Sequence, residues 1–449
     1  MRGTTRRLEF FSFYDHTGIE AHLERMAERG WLLDKIGNFT WHYRRIEPRA
    51  LTFSVCYFSK ASQFDPGPSE EQQTFYDFCA HTGWTLAAAS AQMQIFYNER
   101  ENPVPIDTDP VLEVEAIHQS AKKGFLLSQS LLLAVAALNF GLLLLRQRAD
   151  PIATLSSPLG LFAGVCWLMI LLLIGTDLAA YFRWRRRALR AAERGEFLAT
   201  RSHPLLQKLV LMVMLVGFAW TMSFLRGGLL PAMAAALLCT VGTVFAAIQI
   251  RELLRRKKVP AGTNRAATAA ACVVLALLLA ALIPALVVTL DGGGAGDSGE
   301  PPLSLLELMG RGPADGQYGQ ETYFSQSPLL AVLTANQSFW PEGTDTFRYL
   351  DYTVTEAKVP SLYGICKNQL LGENDTRGTG QFLIKYYTPI DPAPWRAQEA
   401  YQFHMEDEDF GVRDIDLYLL CYEDRIVKLD PNWELTAAQM SIVGEKLGG

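Results

Sequence analysis

No GxxxxGKS/T loop, no HExxH, no GxSxG turn and no CxxC pair is written anywhere in this chain. The short motifs that carry nucleotide, metallohydrolase, serine-hydrolase or dithiol chemistry are therefore missing. Histidine is sparse, seven in 449 residues, and none is paired at metal-ligand spacing. Charge is sparse as well: 20% of residues, with 49% hydrophobic, where an ordinary soluble domain carries about 25% charged residues. What charge there is falls unevenly. Residues 1–123 hold 13 Lys+Arg against 17 Asp+Glu, residues 124–290 hold 17 against 5, and residues 291–449 hold 11 against 25. An acidic segment, a basic apolar middle and a strongly acidic end exclude a single soluble globule, a disordered chain and a nucleic-acid binder resting on overall positive charge.

A bilayer core is crossed by about 20 mostly apolar residues in a helix. Five such runs occupy the middle, at about 124–145, 159–182, 205–225, 229–250 and 266–290, the fourth weakened by Ala and Gly. The N-terminus is charged and has no apolar h-region, so it does not read as a signal peptide. The segment between runs two and three carries Arg183, Arg185, Arg186, Arg187, Arg190, Arg194 and Arg201, and that between runs four and five carries Arg251, Arg255, Arg256, Lys257, Lys258 and Arg265. The other two connections hold only Arg146, Arg148 and Arg226. Basic loops stay in the cytoplasm, which predicts a cytoplasmic N-terminus, a multi-pass path through the cell membrane and an extracytoplasmic C-terminus. The same basic residues could contact lipid phosphates or act as polybasic regulatory sites; a topology signal is the simpler reading. Inside the runs only Asp177 and Lys208 are ionisable, both near basic ends. A mid-membrane charge of the kind an ion-coupled transporter uses is lacking.

The first 100 residues read as a β-α-β-β-α-β, ferredoxin-like domain. Strands are expected at 8–15, 39–46, 51–58 and 92–97, and helices at 18–30 and 69–82, with Ser69 as N-cap. An internal echo supports two related halves: Gly30-Trp31 and Gly83-Trp84 each close a helix, 53 residues apart. Trp31 and Trp84 are expected to be core anchors holding each helix exit to a four-stranded sheet with both helices on one face. Residues 101–123 form a linker and juxtamembrane helix, where Asp107 and Asp109 read as turn and cap residues.

The aromatic segment ending in Asp15, the helix ending Met26-Ala27-Glu28-Arg29-Gly30-Trp31-Leu32, Tyr76 and Cys79 of the second helix, the Gly83-Trp84 exit and the Asp107/Asp109 segment together resemble the bacterial domain-of-unknown-function family 2812, over about residues 8–115. The resemblance implies a domain that often continues into membrane helices and is often encoded beside a PadR-type transcriptional regulator. It implies no established activity, so it assigns no catalytic residue.

Beyond a Gly-rich linker at 291–302, residues 303–449 read as a small acidic α+β domain. Helices are expected at 303–309, 329–335, 394–405 and 435–447, and strands at 346–355, 380–388, 414–424 and 425–430. Cys366 and Cys421 are the two cysteines of this domain and form a candidate disulfide, with two unpaired buried thiols as the alternative. The acidic run 406–409 beside His404 reads as a solvated loop rather than a cation site.

The fold class expected is thus a multi-domain integral membrane protein: a ferredoxin-like domain at 1–100, five transmembrane helices within 124–290 and an outer α+β domain. Its expected function is non-enzymatic, without cofactor, metal or nucleic acid: a sensor or regulatory protein with a protein partner in the cytoplasm and the lipid bilayer around it. The alternative is a component of a transport or export system for an apolar or lipid-like substrate. Reporter fusions at Lys123 and Gly449 check the topology. Cytoplasmic activity at the first and extracytoplasmic activity at the second are expected; equal sidedness would refute it.

Overall fold

The computed structural model describes residues 3–9, 11–37, 40–200, 204–223, 229–290, 300–312, 316–342, 347–373, 375–377, 382–407 and 411–449. The linker at 291–299 lies outside them. The chain forms two compact units. One gathers Met1–Asn139, Cys166–Val216 and Leu237–Ala281; the other gathers Phe140–Val165, Gly217–Ala236 and Leu282–Gly449.

In the first unit the N-terminal domain runs β1 (Thr4–Arg7), α1 (His16–Glu28), β2 (Trp31–Ile36), β3 (Trp41–Arg45), β4 (Thr52–Tyr57), α2 (Glu70–His81), β5 (Thr85–Ser90) and β6 (Met93–Asn98). The single four-stranded sheet expected from the sequence is replaced by two three-stranded antiparallel sheets, ordered β1-β3-β2 and β4-β6-β5. Each is one β-α-β-β half, so the internal echo is a repeat of a different unit from the ferredoxin-like one. The 53-residue offset carries through it. Gly30 and Gly83 both take positive φ, +80° and +90°, the conformation glycine adopts without Cβ strain when it ends a helix. The bulge between Leu33 and Lys35 in β2 recurs between Leu86 and Ala88 in β5. β2 lies against β5, which brings the two halves side by side.

The helices also depart from expectation. Ile19, Leu23, Met26 and Ala27 of α1 share a core with Phe53, Val55 and Ile95. Cys79 of α2 packs with Cys56, Trp84 and Phe96. Neighbouring residues of a strand face opposite ways, so Val55 and Cys56, like Ile95 and Phe96, assign α1 and α2 to opposite faces of the β4-β6-β5 sheet. Ser69 caps α2 by accepting from the Gln72 amide at 3.2 Å.

After α3 (Pro110–Lys123), the apolar runs are all helical: α4 (Phe125–Ala149), the short α5 (Pro151–Ser156), α6 (Pro158–Ala192), α7 (Pro204–Met222), α8 (Leu229–Arg256) and α9 (Ala261–Leu290). Among the described residues three helical stretches are long and apolar enough to cross a membrane: Phe125–Ala149, Pro158–Ala192 and Ala261–Leu278. Gln207–Thr221 is a shorter apolar helix. Only 6% of the first stretch is buried within the protein. Leu127, Leu131, Leu138 and Leu145 are each more than half exposed, an arrangement that water disfavours and hydrocarbon accepts.

The second unit contains α10 (Leu305–Met309), β7 (Gly316–Gln326), β8 (Leu330–Pro341), β9 (Arg348–Ala357), α11 (Pro360–Gly372), β10 (Leu383–Ile390), β11 (Glu399–Asp407), β12 (Gly411–Cys421), β13 (Arg425–Pro431) and α12 (Ala437–Leu447). Its strands make one seven-stranded antiparallel sheet, ordered β10-β11-β12-β13-β9-β8-β7. Two expected helices are strands: 329–335 lies in β8, and much of 394–405 lies in β11. Both faces are covered. Tyr418 and Leu420 point to a core with Leu305, Val443 and Leu447; Leu417, Leu419 and Cys421 point to one with Cys366, Leu370, Ile152 and Leu155. Thr436 and Gln439 form a capping box at the start of α12.

Trp84 is 3% exposed and its indole N–H donates to the Val104 carbonyl at 2.9 Å. Trp31 is only partly buried at the margin of the α1 core, with the Arg45 guanidinium 5.0 Å over its ring, so it is a rim residue rather than a core anchor. Trp84→Ala is expected to cost about 3–5 kcal/mol, and Trp31→Ala clearly less. Thermal unfolding of the purified chain in detergent checks the order; equal losses would refute it.

Candidate functional site

The sequence at 11–17, Phe-Ser-Phe-Tyr-Asp-His-Thr, is irregular chain ending in the first turn of α1, not the expected strand. That irregularity delivers its aromatic rings sideways, onto α3 and the polar end of α6. Tyr14, Ile117, Ala121, Tyr181, Trp184 and Ala188 form one buried cluster. Tyr14 lies 5.3 Å from Tyr181 and 5.4 Å from Trp184, and Phe125 lies 5.7 Å from Tyr181, ring centre to ring centre. The edge-to-face and offset geometries are those that favour aromatic pairs.

Polar contacts fix the register of this junction. Ser12 Oγ donates to Asp177 Oδ1 at 2.6 Å, which gives the carboxylate in the apolar stretch of α6 a partner. Tyr57 donates to the Phe13 carbonyl at 2.6 Å. His118 Nδ1 pairs with the Tyr181 hydroxyl at 2.7 Å; burial, with Arg185 and Lys122 nearby, pushes His118 below its usual range and keeps it neutral. The Thr200 amide donates to Thr17 Oγ1 at 2.8 Å, and Thr17 Oγ1 donates to the Thr200 carbonyl at 3.1 Å. A second attachment joins the β4–α2 loop to the α8–α9 connection. Arg251 donates to Gln63 at 2.7 Å, Arg255 to the Asp65 carbonyl at 3.0 Å, and the fully buried Asn264 to the Phe64 carbonyl at 3.3 Å.

Beneath the junction sits a knot of buried titratable groups. His16 Nε2 lies 3.1 Å from Glu113 of α3. Glu20 accepts from the Val55 amide at 2.8 Å. Burial raises Glu20 to about 7, against the opposing pull of His16 and the Val55 amide. Burial pushes His16 down, but its hydrogen bond to Glu113 and the charges of Glu113 and Glu20 outweigh this and raise it. Asp107, lifted mainly by burial, faces Cys56, while Asp109 caps α3 by accepting from Val111 at 2.8 Å. Among the described residues no group of three His, Cys, Asp or Glu side chains is arranged to hold a metal.

Few of the residues singled out from sequence belong to this junction. Arg185 is half-buried beside it, and Arg186 and Arg187 are exposed. Arg255 and Arg256 both pair with Glu252. Lys257 and Lys258 are exposed where α8 ends, Lys258 with φ +56°. The candidate disulfide is not formed. Cys366 and Cys421 are free, buried in one apolar cluster, where burial raises both thiols and keeps them protonated. His404 pairs with Asp414 at 2.8 Å; residues 408 and 409 of the acidic run lie outside the described residues. The sequence reading missed Tyr14, His118, Tyr181, Trp184, Thr17 and Thr200. The available signal was Tyr181-Phe182-Arg183-Trp184, aromatics placed where an apolar run turns basic.

Both raised groups bind protons in the folded state that the unfolded chain releases, so stability falls as pH rises. Glu20 acts between 4.5 and about 7, and His16 continues the loss upward from 6.5. Glu20→Gln should remove the lower part of this slope, on the order of 3 kcal/mol at neutral pH. Melting temperatures of both proteins from about pH 5 to 8 check it; parallel curves would refute it.

No curated protein and no solved structure matches the chain. Residues 15–129, the N-terminal domain from its first helix through α3 and into α4, match the family described as Protein of unknown function (DUF2812).

Proposed function

We propose that this is a multi-pass, non-enzymatic membrane protein of regulatory type, in which the condition of an extracytoplasmic domain is passed to a cytoplasmic module that engages a protein partner. The observation that carries it concerns α6. Its last turns, through Tyr181, Trp184 and Ala188, belong to the core of the first unit. Directly before it, with only Ser157 between, α5 belongs to the core of the second. There Ile152 and Leu155 pack with Cys366 and Leu419, Ser327 donates to the Leu155 carbonyl at 2.6 Å, and Gln369 bonds both the Ile152 amide at 3.2 Å and Asp150 at 3.1 Å. A helix built into a folded core at either end can carry displacement, because packed cores are bistable rather than continuously deformable.

Sidedness supports the same reading. The basic connections 183–200 and 251–265 fall in the unit that holds the N-terminal domain, and the basic-poor connection 146–157 falls in the unit that holds the C-terminal domain. Five membrane helices, α4, α6, α7, α8 and α9, satisfy this alternation.

Hydrogen exchange on the full chain in lipid nanodiscs tests the coupling. Gln369→Ala, which removes two bonds to the α5 segment, and the harsher Leu155→Asp are expected to speed exchange at 110–123 and 181–192. Changes confined to residues 150–165 and 300–449 would refute it. A flux defect in a deletion strain with no exchange coupling would favour transport.

A further inference from the structure

The two basic connections are not equivalent, and the difference assigns a task to one of them. In the α8–α9 connection Arg251, Arg255 and Arg256 are engaged with Gln63, the Asp65 carbonyl and Glu252, and Arg265 lies 5.6 Å over the Phe64 ring. In α6 the helical repeat sorts residues into two stripes. Tyr181, Trp184 and Ala188 are buried against the N-terminal domain, while Arg183, Arg186, Arg187 and Arg190 are exposed along the opposite side. The nearby acidic groups are committed or set apart: Asp177 accepts from Ser12, Glu196 pairs with Arg194, and Glu193 sits past the end of the helix.

Position matters as much as charge. α6 is 35 residues long, about 52 Å at 1.5 Å per residue. The hydrocarbon core is about 30 Å thick and the headgroup layers add only a few ångströms on each side. Residues 158–182 rise about 37 Å, enough to fill the apolar layer, so Arg183 and Arg186 emerge at the depth of lipid phosphates, with Arg187 and Arg190 up to about 10 Å further along the same side, their long side chains able to reach back toward it.

We propose that Arg183, Arg186, Arg187 and Arg190 form a binding stripe for the headgroups of anionic phospholipids on the cytoplasmic leaflet. Each guanidinium offers a planar fork of donors that suits a phosphate. Because the other side of the same turns is the N-terminal domain's seat, lipid held on this stripe steadies the α6 end of the junction. The inference rests on the membrane reading above.

The test uses the full chain in nanodiscs made from equal amounts of phosphatidylcholine and phosphatidylglycerol, with retained lipid counted by native mass spectrometry. Enrichment of phosphatidylglycerol is expected. It should fall about fivefold or more in R183Q/R186Q/R187Q/R190Q, fall less in the four-lysine variant, which keeps the charge without the fork, and be unchanged in R146Q/R148Q. Equal loss in R146Q/R148Q, displacement by inorganic phosphate, or no enrichment overturns the stripe while leaving the membrane reading intact. Release of the chain from membranes by alkaline carbonate overturns both.

Discussion

The packing of Tyr14 and Phe125 against Tyr181 and Trp184 is the contact on which the first unit depends. A helix leaving a bilayer has no reason to stay ordered, since propensity alone barely sustains a few turns in water. Here the last turns of α6 are ordered because their aromatic stripe is core. Large aromatics bury about 150–250 Å² each, worth several kcal/mol apiece at about 25 cal/mol per Å². Asp177 and His118, costly groups to bury alone, are each given one short hydrogen bond, to Ser12 and to Tyr181. The result ties the orientation of a folded domain to the rotation of one helix: turning α6 by a residue would exchange Trp184 for Arg185 at the junction.

The same constraint explains an apparent defect of the N-terminal domain. A regular strand through residues 8–15 would alternate its aromatic side chains across a sheet. The chain instead breaks before α1, so Phe13 and Tyr14 both reach the junction, with Phe13 stacked 5.8 Å from Phe125. Beside them His16, Glu20 and Glu113 are drawn into low dielectric. Each is satisfied only with α1, β4 and α3 in place together. The polar knot is therefore a check on assembly: any one element out of position leaves a buried charge unpaired, which costs far more than the pair gains.

How far the fold was legible depended on which side of the chain faced a core. Gly30-Trp31 and Gly83-Trp84 announced the repeat because a left-handed glycine at a helix exit is a backbone requirement that the sequence cannot hide. The strands after them were missed. Leu86-Ala87-Ala88-Ala89 has helix-favouring composition, and in both β2 and β5 a bulge breaks the alternation that identifies a strand. β1, Thr-Thr-Arg-Arg, has no apolar residue at all. In the C-terminal domain Leu330-Ala-Val-Leu-Thr-Ala fits helix or strand equally; the seven-stranded sheet decides, because a strand buried on both faces needs no alternation. Alternation along β12 puts Cys421 on the side of Leu417 and Leu419. That this side faces α11 and Cys366 could be guessed, but thiols in an apolar layer pack as small hydrophobes without bonding.

The junction itself was illegible for a different reason. Its residues come from 11–17, 57, 110–125, 177–188 and 200, and no local pattern relates Thr17 to Thr200. The basic residues were legible as a sum, thirteen against three, and the sum carries only sidedness. The structure divides them by what they touch. Arg251, Arg255 and Arg265 of the α8–α9 connection are turned onto the β4–α2 loop. Those of α6 cannot, because the helix repeat turns them away from the domain that holds its other side. An arginine stripe and an aromatic stripe on opposite sides of the same three turns make the junction depend on two media at once, a protein core on one side and, by the topology proposed here, lipid phosphates on the other. A change in either is felt by the same helix.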